Sequence, residues 1–310
     1  MENVNIANMD SLQLSRRNIF FANKPFSKDL KGLEVGPFTR ATVYPSEAEM
    51  YYADYYSTEE LKEQAKTLNI PTESILDVHY VLKTDELHVK LGNDKFDFII
   101  ANHVLEHVVD PFRWLKNLEP ALKPNGRFLI TLPDKRLSFD KFRSDTNLAH
   151  FIEDFLMGGE RSINEHAIDA ALYYDYGYVG KENDSAARLN LEFVQRSRLE
   201  IHPGMHVHVF QADNFLNKVL LPFLAIGFLN LRLETFEFNE SLGEFSFSLV
   251  KTESPQPLNI HPEIFFSTAS DTLPVSKTKY SAGRLGLYKF HANGITSKII
   301  RFLRFLPVTK

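Results

Sequence analysis

The chain of 310 residues is 44% hydrophobic and 24% charged, an ordinary balance for a globular protein. Its formal net charge of −5 gives no support for a general nucleic-acid binder, whose domain would be basic. The chain has no cysteine, which excludes disulfides and thiolate zinc sites and fits a reducing compartment.

The N-terminal residues 1–28 form a polar arm without the apolar core of a signal peptide. The longest apolar stretch, residues 219–229, is interrupted by Pro222 and Gly227 and is too short to cross a bilayer. We therefore expect a cytoplasmic protein without a transmembrane helix.

Apolar runs of strand length alternate with segments of helical periodicity over residues 31–132, which predicts parallel βαβ units. Ser57 is a candidate helix N-cap, and Asp110 followed by Pro111 starts a second helix. The predicted strands are residues 31–36, 50–54, 78–82, 96–101 and 127–132, and the predicted helices are residues 57–68 and 111–122.

The second half of the chain begins with a polar stretch, residues 134–208, that is rich in His and Tyr and predicts a cap inserted over the sheet edge. A helix is expected at residues 212–224, followed by a strand pair. The strand pair is predicted at residues 229–238 and 244–250, with Phe245, Phe247 and Leu249 on one face. The predicted domains are an arm (1–28), a main domain (29–252) and a linker with a basic, apolar C-terminal segment (253–310).

Four loops of such a sheet would meet at the carboxyl ends of its strands, where open α/β sheets bind ligands. Gly36 lets a ligand approach the backbone closely. Asp54 ends the second strand, where an acid can accept hydrogen bonds from both hydroxyls of a ribose. The other polar residues expected at these loops are Glu34, Asp85, Asn102 and His103.

Several of these segments, read in order, resemble motifs of class I S-adenosylmethionine (SAM)-dependent methyltransferases. They are Gly-Leu-Glu-Val-Gly-Pro at 32–37, Tyr-Ala-Asp at 52–54, the run at 96–111 that ends in Asp-Pro, and Leu-Lys-Pro-Asn-Gly at 122–126. The 96–111 run is typical of the type 11 subgroup. Residues 132–136 and 206–210 resemble, more faintly, bacterial methyltransferases that are associated with glycan biosynthesis.

The resemblance implies a doubly wound, Rossmann-like α/β fold with a seven-stranded sheet, its last strand antiparallel, and SAM as the cofactor. It implies O-methylation of a glycan, as in glycan biosynthesis, or of another small molecule. It also implies a role for each matching residue: Glu34 and Gly36 beside the methionine moiety, Asp54 at the ribose hydroxyls, Asp85 near adenine, and Asn102 and His103 below the sulfonium.

A hydroxyl acceptor would need a general base, and histidine suits that role near neutral pH. Our candidate bases are His103 and His206. Alternation places His206 and His208 on one side of a predicted strand, where with His202 they would bind a metal or line a polar pocket. We expect the pocket lining, and no resident metal. The wider set of histidine candidates also includes His107 and His150.

The first turn departs from the family pattern, because Pro37-Phe38-Thr39 follows Gly36 and no second glycine is present. A dinucleotide needs a helix N-terminus for its pyrophosphate, so this departure disfavours NAD and FAD more than SAM. The altered turn leaves open that this is a methyltransferase-like module that binds a ligand or partner without catalysis. A nucleotide-sugar-modifying enzyme of similar architecture is a second alternative.

Three further patterns carry alternatives of their own. His103-x-x-Glu106-His107 matches an inverted zinc-protease motif by spacing, but that motif needs one continuous helix. The C-terminal residues 298–306 would touch an anionic membrane surface or dock on their own domain. Four basic residues either bind an anionic acceptor or form a solvated face: Lys135, Arg136, Lys141 and Arg143.

Overall fold

The computed structural model describes residues 10–21, 27–83, 86–159, 163–173, 205–254 and 280–281. These residues form one eight-stranded sheet with helices on its faces. The strands are β1 (Lys31–Val35), β2 (Glu49–Asp54), β3 (Tyr80–Val81), β4 (Phe96–Asn102), β5 (Leu122–Pro133), β6 (Leu231–Asn239), β7 (Glu244–Lys251) and β8 (Tyr280–Ser281).

The helices are α1 (Ser11–Phe21), α2 (Thr58–Thr67), α3 (Leu87–Leu91), α4 (Pro111–Leu118), α5 (Leu148–Met157), α6 (Ile163–Tyr173), α7 (Ala212–Asn214) and α8 (Leu221–Ile226). After α1 the helices alternate with the strands up to β5, two helices then lie in the cap (α5 and α6), and two more precede β6 (α7 and α8). A π-helical stretch, Phe215–Leu220, joins α7 to α8, and short 3₁₀ turns occur at Leu105–His107, Glu119–Ala121, Lys135–Leu137 and Glu240–Leu242.

The sheet order is β3-β2-β1-β4-β5-β7-β6-β8. Strands β1 to β5 pair in parallel, whereas β7 is antiparallel to both β5 and β6. The order reverses between β1 and β4, which is the topological switch point of a doubly wound sheet. The predicted seven strands and the antiparallel last strand are confirmed, and β8 adds a two-residue eighth strand at the β6 edge.

The connection between β1 and β2 contains no helix. Residues 36–48 run through turns instead, because Pro45 has no amide hydrogen for a helix. The predicted polar arm supplies a helix in its place, since α1 lies beside this loop and beside β7. Gln13 donates to the carbonyl of Ala41 at 2.8 Å and to the Tyr44 hydroxyl at 3.0 Å.

Two apolar layers cover the faces of the sheet, and β4 shows how the period-2 alternation builds them. Ile99 and Ala101 face the larger layer, which packs against α4, α5 and the helical run from α7 to α8. Phe98 and Ile100 face the smaller layer, formed by the β1–β2 loop and by Phe21 of α1.

Both predicted helix starts are confirmed. Ser57 accepts from the amide of Glu60 while Glu60 accepts from the amide of Ser57, a capping box. Asp110 accepts from the amide of Arg113 at 2.9 Å and precedes Pro111 at the first turn. The predicted single helix at 212–224 is instead divided by the π-helical stretch, because proline at 222 cannot donate to the helix ladder and crowds the preceding turn.

Gly32 in β1 has no room for a side chain. A Cβ atom there would lie 2.3 Å from the Phe98 ring and 2.6 Å from the sulfur of Met50. We expect Gly32→Ala to lower the free energy of unfolding by about 1–3 kcal/mol, because buried neighbours must move. Urea denaturation monitored by circular dichroism measures this. A loss below about 0.5 kcal/mol would show that the smaller layer yields more easily than this close packing implies.

Candidate functional site

The strand register brings three of the predicted residues to one edge of the sheet. Val35 of β1 lies opposite Ala53 of β2 on one side and Ala101 of β4 on the other. The amide of Gly36 donates to the carbonyl of Ala53 at 2.8 Å. Gly36 therefore lies directly beside Asp54 and Asn102, the next residues of the two neighbouring strands.

The first turn uses left-handed backbone at two positions. Gly36 has φ +63°, which glycine adopts without a steric penalty, and it is exposed. Phe38 has φ +44°, so the missing second glycine has not removed the left-handed conformation from the turn. A Cβ at Gly36 would approach Val104 to 3.3 Å, a tight contact, so both the backbone angle and the space favour glycine here.

Glu34 lies beneath this turn and orders it. Its carboxylate is 1% exposed and accepts from the amide of Thr42 at 2.9 Å and from the hydroxyl of Thr42 at 2.8 Å. Burial raises the pKa of Glu34 to about 7, against the opposing effect of these hydrogen bonds. Asn102 donates to the same Thr42 hydroxyl at 2.9 Å, so one network joins β1, the turn and β4.

Asp54 and Asn102 present polar groups at the strand ends. Asp54 is 9% exposed and accepts from the amide of Tyr56 at 3.1 Å. Burial raises the pKa of Asp54, although the amides of Tyr56 and Tyr55 oppose the shift. The Oδ1 atom of Asn102 is buried and has no hydrogen-bond partner among the described residues.

His103 lies at the centre of a chain of ion pairs at the carboxyl edge of the sheet. Its backbone is left-handed, φ +53°, and its side chain is 35% exposed. The ring lies 3.1 Å from Glu106 through Nδ1 and 2.9 Å from Glu244 through Nε2. Glu244 in turn accepts from Arg16 of α1 at 2.6 and 3.0 Å.

The charge state of His103 follows from these contacts. Burial opposes protonation, but the ion pairs with Glu106 and Glu244 outweigh it and raise the pKa of His103 to about 9. At neutral pH the ring is therefore an imidazolium, which cannot accept another proton. Each ring nitrogen of His103 faces a carboxylate. This arrangement suits a residue that positions its neighbours and balances their charge better than one that removes a proton from a substrate.

His206 lies on the other side of Glu106. Its Nδ1 is 2.6 Å from Asp140, and its ring packs 4.9 Å from His107 and 4.6 Å from Phe139. The His–Asp contact orients the ring as in many general bases. Residues 205–211 are not a strand, because their amides bond to a 3₁₀ turn and a loop and not to a neighbouring strand. The prediction that His206 and His208 share one face was therefore wrong, and the two rings enter different clusters.

A family model described as a methyltransferase domain matches residues 17–215, more than half of the chain. The chain belongs to this methyltransferase family. Together with the sheet order, the match makes it a class I SAM-dependent methyltransferase, so the predicted enzyme and cofactor are confirmed. A search of curated proteins finds no significant match.

Solved structures give remote likenesses. The CurJ carbon methyltransferase is 14% identical (TM-score 0.36), with 77% of this chain and 54% of that chain covered. The plantazolicin methyltransferase BpumL, solved with SAH, is 13% identical (TM-score 0.38; 77% and 81% covered). The mitomycin 7-O-methyltransferase MmcR is 12% identical (TM-score 0.37; 78% and 55% covered). The methyltransferase thus spans about half the length of two of them, and the sheet order alone establishes its fold.

The residues at the strand ends of the methyltransferase fit SAM. The unpartnered Oδ1 of Asn102 needs a donor, and the exposed left-handed bend at Gly36 admits a ligand to the backbone. A carboxylate has about four acceptor positions, so Asp54 keeps capacity for hydroxyl donors beyond its amide contacts. The structure brings Gly36, Asp54, Asn102 and His103 together, with Glu34 in the layer beneath.

The four basic residues predicted as an anion site or a solvated face divide into two pairs. Arg143 is 1% exposed and pairs with Asp140, and Lys135 lies 2.8 Å from Asp145. Arg136 bonds to Asp134 but is exposed, as is Lys141. The contacts with acids of the cap correct both alternatives for Lys135 and Arg143, whereas Arg136 and Lys141 lie on the surface.

The zinc-protease alternative is also wrong. The motif would need His103 and His107 on one helix, but His103 has left-handed backbone and only a 3₁₀ turn follows it. Among the described helices, none is long and apolar enough to span a membrane. Several predictions lie outside the described residues: those for Asp85, His202 and the C-terminal residues 298–306.

Sequence reasoning missed Glu244, which pairs with His103, and Arg16, which pairs with Glu244. Arg16 lies in the polar arm, 228 positions from Glu244, and nothing local connects them. The one available signal was Glu244 itself, an acid at the start of a strand with an apolar face. A buried acid needs a partner, so its place in β7 indicated a cation at that edge.

Proposed function

We propose that the strand-end residues hold SAM and that the enzyme methylates a hydroxyl oxygen of a sugar, glycan or small molecule. The observation that carries the proposal is the edge where the bend at Gly36 meets the buried, unpartnered Oδ1 of Asn102 and the carboxylate of Asp54. Asp54 would accept from the ribose hydroxyls, and Gly36 and Asn102 would border the methionine end. Asp85 keeps its predicted place near adenine.

SAM supplies a methyl group on a sulfonium, which a nucleophile attacks in line. The protein's own contribution is mostly orientation of the acceptor, which can recover roughly 7–11 kcal/mol of the barrier. We assign proton removal to His206, because Asp140 orients its ring, whereas His103 is already protonated between two carboxylates. His103 then acts as a positioning residue that fixes Glu244 and the docking of α1.

The acceptor class rests on the chemistry of the cap and on the sequence resemblance to type 11-like, glycan-associated methyltransferases. His206 supplies a polar group and Phe139 an aromatic ring, with ring centroids 4.6 Å apart, and small-molecule sites combine these two kinds of side chain. We also propose a cytoplasmic location. Incubation with methyl-labelled SAM and separate panels of free sugars, oligosaccharides and phenols tests the class, and labelling of phenols alone would overturn the glycan assignment.

The cofactor site is tested by Asp54→Ala. We expect SAM affinity to fall about 10–150-fold, the value of one hydrogen bond to a charged group. Isothermal titration calorimetry measures it. Glu49→Ala is the matched control, since Glu49 opens the same strand and is 57% exposed at the opposite edge. Equal SAM affinity in both variants would exclude Asp54 from the site, and no binding at millimolar SAM would favour a module that is not catalytic.

A further inference from the structure

A second polar cluster lies in the cap, apart from the strand ends. It gathers three imidazoles and a carboxylate from three separate chain segments. His150 and Asp154 are one helical turn apart on α5, His166 lies on α6, and His208 lies on the segment that crosses between them. Three of the four are buried, and His150 is half-buried.

The ligand atoms of these four residues all lie within 4.8 Å of one another. The Nε2 atom of His150 is 3.0 Å from Nε2 of His166 and 3.2 Å from Oδ2 of Asp154. Tetrahedral zinc with bonds of about 2.0–2.1 Å places its ligand atoms about 3.3 Å apart, so the two distances from Nε2 of His150 are close to those of a zinc site.

The hydrogen bonding of His208 leaves one of its ring nitrogens for a metal. Its side chain is fully buried, and its Nε2 lies 2.9 Å from the carbonyl of Val109. A carbonyl only accepts, so Nε2 carries the proton and Nδ1 keeps a lone pair. That Nδ1 is buried and has no hydrogen-bond partner among the described residues. Ligating histidines in proteins commonly donate their other N–H to a backbone carbonyl in this way.

The side chains of the cluster have the chemistry of metal ligands, because imidazoles bind a metal through a ring nitrogen in their neutral form. Asp154, 1% exposed, adds the negative charge that a divalent ion needs.

We propose that His150, Asp154, His166 and His208 bind one Zn²⁺ ion. Three imidazoles and a carboxylate suit zinc, and four protein ligands make a closed, structural site. The ion would join α5, α6 and the 205–211 segment, and so hold the cap that carries His206. This proposal replaces the expectation of no metal, which considered His208 only together with His202 and His206.

A metal-free hydrogen-bonded cluster is the competing explanation. It accounts for the contacts of His150 with Asp154 and His166, but it leaves the buried Nδ1 of His208 without a donor. The neighbouring group of Glu106, His107 and His206 is a weaker metal candidate, because both of its histidines already have hydrogen-bond partners, the carbonyl of Met205 and Asp140, respectively.

The test is zinc binding by the full chain. After treatment with a chelator and dialysis, the protein is titrated with ZnCl₂ against a chromogenic indicator. We expect one Zn²⁺ per chain, the visible absorption of tetrahedral Co²⁺ when cobalt replaces zinc, and a melting temperature that rises with zinc. His150→Gln and Asp154→Asn each keep the side-chain size, and we expect each to weaken zinc binding by at least about 10–100-fold.

His88→Gln is the matched control, because His88 is an exposed histidine on α3 that pairs with Glu86. We expect it to bind zinc as the wild type does. Circular dichroism confirms that each variant is folded. Absence of stoichiometric zinc at micromolar concentration overturns the proposal, as does zinc affinity that neither His150→Gln nor Asp154→Asn changes. The readout uses no SAM, so it is independent of the proposed methyl transfer.

Discussion

Replacement of Arg143 by alanine is expected to lower the free energy of unfolding by about 3–5 kcal/mol, the cost of breaking a buried ion pair. Arg143 is 1% exposed and bonds to Asp140 at 2.9 Å and to Asp169 at 2.6 Å. It also donates to the carbonyls of His206 and Val207 at 2.7 and 3.3 Å. One guanidinium thus ties α6 and the 205–211 segment to the loop before α5.

The loss follows from what the substitution leaves behind. Asp140 is 2% exposed and would lose its guanidinium partner in the interior, which leaves His206 beside it. Buried carbonyls that lose a donor cost about 1–3 kcal/mol each. Because Asp140 orients His206, we also expect methyl transfer to slow in Arg143→Ala, which a labelled-SAM assay measures.

Arg40→Ala is the matched control for Arg143→Ala. Arg40 makes one ion pair, with Asp10 at 3.0 Å, and its side chain is 60% exposed. Solvent screens such a pair, so we expect a loss of at most about 1 kcal/mol. Urea denaturation at fixed pH compares the two variants, and equal losses would show that the cap does not depend on its buried guanidinium.

The elements that the sequence predicted well are those that local chemistry determines. Ser57 and Asp110 start helices because each side chain satisfies an amide three residues away. Phe245, Phe247 and Leu249 share a buried face because strand alternation has period two. The strand-end positions of Gly36 and Asp54 follow from the same local signals, once the strands are taken as parallel.

What the sequence could not predict depends on partners that are distant in the chain or on backbone conformation. Phe38 occupies the left-handed region that the family gives to glycine, so the absent glycine did not remove the turn. His206 and His208 lie in one short segment, but Asp140 holds the first ring and the carbonyl of Val109 holds the second. Side-chain spacing alone contains no information on either contact.

Substitution of Glu106 by glutamine is the second large effect that we expect. Glu106 is fully buried, and its nearest charged partner is His103 at 3.1 Å. Burial opposes its charge, but His103, with His107 and His206 behind it, lowers the pKa of Glu106 to about 2. Glutamine keeps the shape and removes the charge, so His103 is left with Glu244 alone, which Arg16 already shares.

The pH dependence of this pair has a definite sign. The pKa of Glu106 is lowered from 4.5 to about 2, so its contribution is complete above pH 4.5 and is lost as pH falls through 2. The pKa of His103 is raised from 6.5 to about 9, so its contribution is complete below pH 6.5 and is lost as pH rises through 9. The pair therefore stabilises the fold fully between pH 4.5 and 6.5.

At pH 6 we expect Glu106→Gln to lower the free energy of unfolding by about 3 kcal/mol, the lower end of the range for breaking a buried pair. The lower end applies because the His103 ring is about a third exposed and is partly screened by water.

The difference from wild type should shrink as pH rises toward 9, where His103 loses its proton in both proteins. Urea denaturation at pH 6, 7.5 and 9 measures the trend, with the exposed Glu63→Gln as control. A loss that stays constant over this range would mean that His103 is neutral in the folded protein, and His103 would then become the better candidate for the general base.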